Sequence, residues 1–251
     1  NRYLWRMQDI SDVQALRLLP LFMSLRACVR ALVALDRLAA THGDSGTLRA
    51  SAHKSLGYAH EWLQPPPPRL IVVAGLSGTG KTTLARALAP LIDPAPGALH
   101  LRSDMERKAL AGVEPTDRLP PSAYSKQTAN AVYDRLIARG EAALRAGHSV
   151  IIDAVMADPS ERDEVEALAQ RTGVPFFGLW LEGDAETLKT RVENRVGDAS
   201  DATSAVVEQQ LGYDIGNIRW TRLDATASAL RTLSDARGVL GIADRASSAT
   251  P

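Results

Sequence analysis

The sequence is poor in cysteine, in aromatic residues and in net charge. Cys28 is the only cysteine among 251 residues, which excludes an intramolecular disulfide and fits a reducing compartment. Phe, Trp and Tyr make up 5% of the residues, and 29 Lys and Arg balance 29 Asp and Glu. Proteins that hold long nucleic acid usually carry a basic excess and stacking aromatics, so we expect no long nucleic acid partner.

The sequence also lacks a long uninterrupted apolar run. Its most apolar early stretch, Leu16 to Leu38, contains four arginines and one aspartate. A helix that spans a bilayer needs about 20 predominantly apolar residues in a row, and a signal peptide needs an apolar run with a small-residue cleavage site. We therefore expect no membrane partner and a cytoplasmic location.

Four consecutive prolines, Pro65 to Pro68, divide the chain into two differently charged parts. Residues 1–64 show apolar side chains at helical spacing and carry a formal charge of +3, whereas the remainder carries −3. A proline run favours an extended, stiff spacer. We therefore predict a helical segment over 1–64, a linker over 65–68, one domain over 69–242 and a frayed tail over 243–251.

After the prolines, short apolar strands alternate with helices. The apolar runs predict strands at Leu70–Ala74, Leu99–Arg102, Val150–Ile152, Phe176–Leu181 and Arg219–Leu223. Each pair of strands is separated by helical sequence, including a long predicted helix at about Ala123–Ala146. Strands that alternate with helices require crossover connections, so the predicted fold class is α/β with a mostly parallel sheet.

The most specific motif follows the first predicted strand. The eight residues from Gly75 to Thr82 match the pattern G-x-x-x-x-G-K-[ST] at every fixed position, between a strand and a helix. Such a loop turns backbone N–H groups towards an anion, with Lys81 on the terminal phosphates and the Thr82 hydroxyl on Mg²⁺. The residues expected to bind nucleotide here are Gly75, Ser77, Gly78, Thr79, Gly80, Lys81, Thr82 and Thr83.

Two carboxylates follow the second and third predicted strands. Asp104 can take the proton of an attacking hydroxyl, and Arg107, on the same helix face, can hold an anionic acceptor; alternatively, Asp104 only caps the helix. Asp153 ends an apolar strand, as does the carboxylate that serves Mg²⁺ in many nucleotide sites. It can instead contact the acceptor or Arg107, or simply end the strand. Arg162, in the helix that follows, is a further candidate residue for binding the acceptor.

A further candidate segment carries two arginines four residues apart. Arg191 and Arg195 share a helix face and precede a small-residue stretch suited to a hinge, as expected of a lid that closes over the transferred phosphate. A solvated helix would show the same spacing. Asp224, which ends the fifth predicted strand, is a weaker candidate for a residue near the base of the nucleotide.

These motifs together resemble the P-loop kinase group, which includes gluconate kinases, zeta toxins and polynucleotide kinases. The resemblance covers about residues 69–237 and rests on the phosphate loop, Asp104 with Arg107, Asp153 with Arg162, and the Arg191/Arg195 pair. It implies a five-stranded sheet in the order 2-3-1-4-5 and use of ATP and Mg²⁺. It also implies that Asp104 is the general base and that Arg191 or Arg195 contacts the transferred phosphate.

The chain also resembles bacterial two-part proteins that join an aminoglycoside-phosphotransferase-like domain to such a kinase-like domain. Residues 1–64 are similar to the closing helices of that first domain, whose catalytic motifs this sequence does not contain. The resemblance implies that the chain is either the C-terminal part of a longer protein or a shortened relative. We accordingly expect residues 1–64 to meet either that further domain or a second copy of the chain.

The residues favour a phosphotransferase that moves the γ-phosphate of ATP to a small hydroxyl-bearing molecule. A motor-ATPase sensor pattern and an N-K-x-D base-recognition motif are both missing from the sequence. Two alternatives remain open at this point: a polynucleotide 5′-hydroxyl kinase, favoured by Arg107 beside Asp104, and an ATP-binding regulatory module without transfer activity.

Overall fold

The computed structural model describes residues 1–40, 45–194 and 198–242. These residues form a five-stranded parallel sheet in the order β2-β3-β1-β4-β5, flanked by helices. The strands are β1 (Leu70–Gly75), β2 (Leu99–Arg102), β3 (Val150–Asp153), β4 (Phe176–Glu182) and β5 (Thr221–Asp224). Both the predicted α/β class and the order 2-3-1-4-5 are thereby confirmed.

Eleven α-helices are described. Those before the sheet are α1 (Arg2–Met7), α2 (Ile10–Gln14), α3 (Leu19–Ala40) and α4 (Ser45–Trp62). Those that alternate with the strands are α5 (Lys81–Leu88), α6 (Ser103–Leu110), α7 (Lys126–Arg145), α8 (Pro159–Thr172), α9 (Ala185–Glu193), α10 (Ser204–Leu211) and α11 (Ala229–Leu240).

The central strand β1 divides the core into two layers. All six of its residues are buried, and successive side chains of a strand point to opposite faces. Leu70 and Val72 accordingly pack in one apolar cluster with α7 and α8, while Ile71 and Val73 pack in another with α5 and α11. Burial on both faces explains why the strand reads as a continuous apolar run in the sequence.

Two boundaries differ from the sequence predictions. The fifth strand begins at Thr221 rather than at residue 219, because Trp220 turns inward and its ring packs against Phe176 with centroids 5.6 Å apart. The long helix predicted from Ala123 is interrupted, since the Ser125 hydroxyl accepts a hydrogen bond from the Thr128 N–H and starts α7 anew.

The first two helices pack on the sheet domain although they precede the prolines. Leu4 and Val13 are buried in the same apolar cluster as Val132 and Leu136 of α7. The Trp5 indole N–H donates to the Met105 carbonyl of α6 at 3.0 Å. The division at the prolines stays a prediction, but residues 1–14 take part in the core of the part that follows it.

Helices α3 and α4 form a hairpin with an unusual distribution of side chains. Small residues, among them Ala27, Ala31 and Ala34, are buried in α3, whereas Leu25 and Leu32 are 59% and 58% exposed. The helical run Ile10–Ala40 is, by length and composition alone, apolar enough to cross a membrane. An 18-residue stretch of it has a mean hydropathy of 1.8, and 22% of that stretch is buried. The hairpin therefore presents an apolar face to solvent.

Candidate nucleotide and acceptor site

The phosphate loop has the backbone shape that its glycines allow. Gly75, Gly78 and Gly80 have φ angles of +137°, +86° and +87°, in the region where other residues are strained. A Cβ atom on Gly78 would lie 2.5 Å from the Leu188 carbonyl oxygen of α9. The loop is therefore held between the sheet and α9, and only glycine fits at this contact.

The two functional side chains at the start of α5 are already engaged with the protein. Lys81 Nζ donates to the Leu76 carbonyl at 2.9 Å, and Thr82 Oγ1 donates to Asp153 Oδ2 at 2.6 Å. The hydroxyl stands in the first turn of α5, which follows β1, and the carboxylate ends β3, which is the neighbour of β1 in the sheet. The structure thus brings together the two residues that the sequence proposed as metal ligands.

The environment of Asp153 keeps its carboxylate charged. Burial alone would raise its pKa, but the hydrogen bond and charge of His100, with Lys81 and Arg102, outweigh burial and lower the pKa. His100 Nε2 lies 3.3 Å and Arg102 Nε 3.5 Å from Asp153 Oδ2. Both partners stand on β2, which pairs with β3 so that Arg102 lies opposite Asp153.

The oxygen pair of Thr82 and Asp153 suits Mg²⁺. Mg²⁺ is commonly held in nucleotide sites by one or two protein oxygens and by the phosphates themselves. Within the described residues there is no group of three or more His, Cys, Asp or Glu that would hold a metal alone. The donor set therefore fits an ion that arrives with a nucleotide rather than one bound by the protein alone.

Asp104 lies in the first turn of α6, within range of the charges of Lys81 and Asp153. Burial raises the pKa of its carboxyl group; Arg102 and Lys81 oppose the rise, while the negative charge of Asp153 adds to it. A carboxyl group with a raised pKa binds a proton more readily, which is the property a general base requires. Asp104 also accepts a hydrogen bond from Ser200.

Arg107 lies one helical turn beyond Asp104. One guanidinium N–H donates to the Ala123 carbonyl at 3.0 Å, and the group lies 5.0 Å from the ring centroid of Tyr124. Its Nε atom is buried and makes no hydrogen bond to the described part of the protein. Arg107 is thereby held at the cavity edge with one buried donor still available.

Two carboxylates from the segment after α9 form ion pairs with basic side chains of β2 and α6. Asp198 accepts from an Arg102 terminal nitrogen at 2.8 Å. Asp201 Oδ2 accepts from Lys108 Nζ at 2.6 Å and from the Tyr124 hydroxyl at 2.7 Å. Burial and the Asp201 contact raise the pKa of Tyr124, so the phenol stays protonated and continues to donate.

Two cavities meet at the phosphate loop. The larger, of about 1150 Å³, is lined by Lys81, Thr82, Asp104, Arg107 and Asp153. The smaller, of about 340 Å³, lies on the other side of the loop, is mostly apolar and is lined by Thr79, Gly80, Thr83, Arg191 and Ala225, among others. Gly80 and Thr83 line both cavities, so a ligand that spans the loop can reach each of them.

Arg191 belongs to the smaller cavity. Its guanidinium donates to the Ala225 carbonyl at 2.6 Å, and it does not line the cavity that contains Lys81 and Asp104. The structure does not bring Arg191 together with Lys81 and Asp104, and its contact with the transferred phosphate stays a prediction. Asp224, just before Ala225, accepts from the Thr226 N–H at 2.7 Å and lies next to this cavity without lining it. The other predicted lid arginine, Arg195, lies outside the described residues.

Arg162 is not near the acceptor residues with which the sequence grouped it. The side chain is buried and donates to three carbonyls, those of Met156, Ala157 and Ile215, at 2.5 to 2.9 Å. Its helix face points towards the strand-end loop rather than into the cavity. Arg162 links α8 to the segment before β5 in this structure, and its contact with the acceptor stays a prediction.

Sequence reasoning missed three residues at this site. His100 and Arg102 flank Asp153, and Gln210 of α10 accepts a hydrogen bond from the Ser77 N–H of the phosphate loop at 2.8 Å. The sequence did contain a signal for Arg102. It is a basic residue at the end of an apolar strand, two positions before Asp104, and therefore lies at the same edge of the sheet as the other site residues. Gln210 lies 133 residues from Ser77, and no local pattern indicated it.

Residues 70–213 match the sequence family described as AAA domain, a region that covers more than half of the chain and runs from β1 to just past α10. The chain belongs to this AAA-domain family. The matched region contains the phosphate loop, Asp104, Asp153 and Gln210, whereas the first four helices of this AAA-domain protein lie outside it.

One curated relative of this AAA-domain protein is about twice as long as the chain. The uncharacterized protein Rv2004c of Mycobacterium tuberculosis (strain H37Rv) is 31% identical over 224 residues, which are 86% of this chain and 43% of that protein. The chain thus spans less than half of this relative. An adenylyl-sulfate kinase of Myxococcus xanthus is 28% identical over 123 residues, covering 49% of this chain and 62% of that protein.

Solved structures similar to this AAA-domain protein are P-loop kinases. A sugar kinase from Janibacter sp. HTCC2649 is 25% identical with a TM-score of 0.51, covering 70% of this chain and 96% of that one. A putative kinase from Chloroflexus aurantiacus is 19% identical with a TM-score of 0.51, covering 69% and 98%, and shares the fold. The AAA-domain protein is accordingly a member of the P-loop kinase group with the corresponding fold.

Proposed function

We propose that the protein is an ATP-dependent phosphotransferase that moves the γ-phosphate to a hydroxyl group of a small molecule. One observation carries the proposal: Asp104, a carboxyl group with a raised pKa, lines the same cavity as Lys81 and Thr82 of the phosphate loop. A base and a phosphate site that share a cavity are what hydroxyl phosphorylation requires. The likeness to a sugar kinase supports the same assignment.

The nucleotide would lie across the phosphate loop. Its phosphates would meet the backbone N–H groups and Lys81, and its base would enter the apolar cavity beside Arg191 and Ala225. Thr82 and Asp153 would hold Mg²⁺, which when bound neutralises charge on the phosphates. Asp153 could serve the acceptor only by giving up this contact, so we assign it to the metal.

In the transfer step, Asp104 takes the proton of the acceptor hydroxyl as the oxygen attacks the γ-phosphorus. The bond between the γ-phosphorus and the oxygen that bridges it to the β-phosphorus breaks, and ADP leaves with that electron pair. Lys81 stabilises the charge that accumulates on the phosphates. Arg107, held by Ala123 and Tyr124, orients the acceptor with its remaining donors.

The charges of the larger cavity favour a small acceptor over a polynucleotide. Seven acidic residues and four basic ones are among its lining residues. The acidic ones are Asp104, Asp153, Asp158, Glu161, Asp198, Asp201 and Asp214, and the basic ones are Lys81, Arg86, Arg107 and Lys126. A strand of phosphodiesters binds where basic groups are in excess, so this lining opposes one.

The direct test is a phosphate-transfer screen with γ-labelled ATP and Mg²⁺ over sugars, antibiotics, nucleosides and a short 5′-hydroxyl oligonucleotide. Asp104→Asn should abolish transfer and leave ATP affinity nearly unchanged, because the amide cannot take the proton. Lys81→Ala should weaken both affinity and transfer. Transfer to the oligonucleotide would favour the polynucleotide alternative. ATP binding without transfer to any acceptor would favour a regulatory module.

We also propose that the α3–α4 hairpin meets a partner surface in a cytoplasmic protein. Residues 70–251 make up about 73% of the chain, so a match covering 86% of it includes part of the helical region. The longer relatives therefore share some of these helices and have more than half of their length elsewhere. An added domain or a second copy of the chain are the two occupants that fit; the exposed Cys28 thiol suits a reducing compartment.

A further inference from the structure

Helix α10 makes a side-chain hydrogen bond to the phosphate loop. Gln210 is 9% exposed and lines the larger cavity, and its Oε1 accepts from the Ser77 N–H at 2.8 Å. A buried polar side chain that leaves its own helix to bind the backbone of a nucleotide loop loses side-chain entropy and hydration, which the hydrogen bond must offset. The contact is therefore a specific one.

The peptide unit that Gln210 binds is the one that Lys81 also binds. The Leu76 carbonyl accepts from Lys81 Nζ at 2.9 Å, and the N–H of the same peptide, on Ser77, donates to Gln210. The Leu76 side chain packs against the apolar cluster of Leu188, Val192 and Val207 between α9 and α10. Gln210 thus contacts the phosphate loop near its start, at the same peptide unit as Lys81, the lysine expected to bind the terminal phosphates.

The hydrogen bond to Ser77 determines which group of the Gln210 carboxamide remains available to a ligand. Because the Ser77 N–H is a donor, the oxygen of the carboxamide must face it, and the NH₂ group lies on the other side. That group has two N–H donors and no charge. Gln210 therefore joins the backbone cradle through its oxygen and adds donors to the cavity through its nitrogen.

Three described arginines at or near this cavity make contacts with other protein groups, and a fourth, Arg86, also lines the cavity. Arg191 donates to the Ala225 carbonyl in the smaller cavity, and Arg102 is paired with Asp198 and Asp153. Arg107 is held by Ala123 and Tyr124 at the acceptor end. Among the described residues after α9, Gln210 brings a neutral amide to the phosphate loop.

We propose that Gln210 is a specificity-determining residue that distinguishes a nucleoside triphosphate from a diphosphate by donating its side-chain N–H groups to the terminal phosphate. This inference rests on the proposed function, since it requires a nucleotide in the phosphate loop. The Ser77 hydrogen bond holds the carboxamide in place before the nucleotide binds, so the donors need little reorganisation.

The experiment compares the affinities of the full chain for Mg²⁺·ADP and for Mg²⁺ with adenosine 5′-(β,γ-imido)triphosphate, by calorimetry. Gln210→Glu retains an oxygen for the Ser77 N–H but replaces the donors with a negative charge. The variant should lower the affinity for the triphosphate at least about 10-fold relative to the affinity for the diphosphate, which is the effect of losing one charge-assisted hydrogen bond. Gln210→Ala should weaken the triphosphate less, because it adds no repulsion.

Gln170→Glu is the matched control, because it makes the same chemical change at an exposed side chain of α8 that lines neither cavity. It should leave the ratio of the two affinities close to that of the wild type. Equal weakening of both nucleotides by Gln210→Glu would overturn the inference, since Gln210 would then only shape the loop. A higher affinity of Gln210→Ala for the triphosphate analogue would also overturn it, because the carboxamide would then occupy a position from which the nucleotide must displace it.

The same measurements separate this inference from the proposed function. A wild-type protein that binds neither nucleotide overturns both. A wild-type protein that binds both nucleotides, with an affinity ratio that Gln210→Glu leaves unchanged, overturns the role of Gln210 alone and leaves the phosphotransferase proposal in place.

Discussion

Asp104 is a carboxyl group whose surroundings favour its protonated form. Burial raises its pKa, and the nearby Asp153 carboxylate raises it further. Because the pKa in the folded state lies above the ordinary value, ionisation of Asp104 reduces folding stability. This penalty is absent below the ordinary pKa, grows as the pH rises towards the raised pKa, and is complete above it.

A neutral residue at position 104 should therefore stabilise the protein. We expect Asp104→Asn to raise Tm at neutral pH by a few degrees, which corresponds to about 1 kcal/mol in a domain of this size. The gain should shrink as the pH falls below the raised pKa, where the wild type is protonated too. Thermal unfolding from pH 4 to pH 8 measures it, and an equal or lower Tm at pH 8 would contradict the burial penalty.

The raised pKa of Asp104 also sets the pH at which transfer becomes slow. A general base works only when ionised, so the transfer rate should fall with decreasing pH through the raised pKa of Asp104, above the range of an ordinary aspartate. The pH profile of kcat/KM, with any acceptor found in the screen, measures this limb. Asp104→Glu should move it, whereas an unchanged limb would assign the titration to another group.

At the scale of single residues, the sequence predicts contacts that are local and misses those that are distant. The phosphate loop is one continuous segment, so its motif specifies both the residues and their backbone shape. Arg102 meets Asp198 across 96 positions and Gln210 meets Ser77 across 133. The three carbonyls that Arg162 contacts were not predicted, because spacing along a helix does not say which carbonyls lie opposite it.

At the scale of elements, α1 supports the helix that carries Asp104. The Trp5 indole binds the Met105 carbonyl, and Arg139 of α7 donates to the Leu4 carbonyl while lying 3.3 Å from Glu106 of α6. These contacts hold the side of α6 that faces away from the cavity. The sequence predicted helices in this region but not their packing, because one short amphipathic helix fits many surfaces.

Removing the donor of Trp5 should loosen α6. Trp5→Phe keeps an aromatic ring but loses the 3.0 Å hydrogen bond to Met105, so we expect a loss of about 1 kcal/mol in the free energy of unfolding. Amide hydrogen exchange in residues 103–110 should become faster. The matched control is Trp62→Phe at the end of α4, which should leave exchange in α6 unchanged; equal effects of both variants would refute the support.

At the scale of the whole molecule, the α/β class and the strand order followed from the alternation of elements and from the resemblance. The placement of the first four helices did not. The α3–α4 hairpin buries small residues and exposes large ones, and exposed apolar surface of this kind promotes association. The periodicity of the sequence shows that a helix is amphipathic without showing which of its faces is covered.

We expect the 251-residue chain on its own to self-associate through this face. The double variant Leu25→Gln with Leu32→Gln, two exposed residues seven positions apart on one face, should shift the protein towards monomer in sedimentation velocity. Arg30→Gln on the same helix is the control and should leave the distribution unchanged. A wild-type chain that is monomeric at tens of micromolar would contradict this expectation.

The docking of the first helices also has a consequence for the order of folding during synthesis. Trp5, Arg6 and Leu4 find their partners 100, 108 and 135 positions later in the chain. These residues emerge from the ribosome before α6 and α7 and cannot make their contacts until both helices have emerged, and closing such long loops is slow. The amino-terminal segment is accordingly expected to be among the last to reach its native contacts, so that closure of the domain coincides with the arrival of the helix carrying Asp104 at its final position.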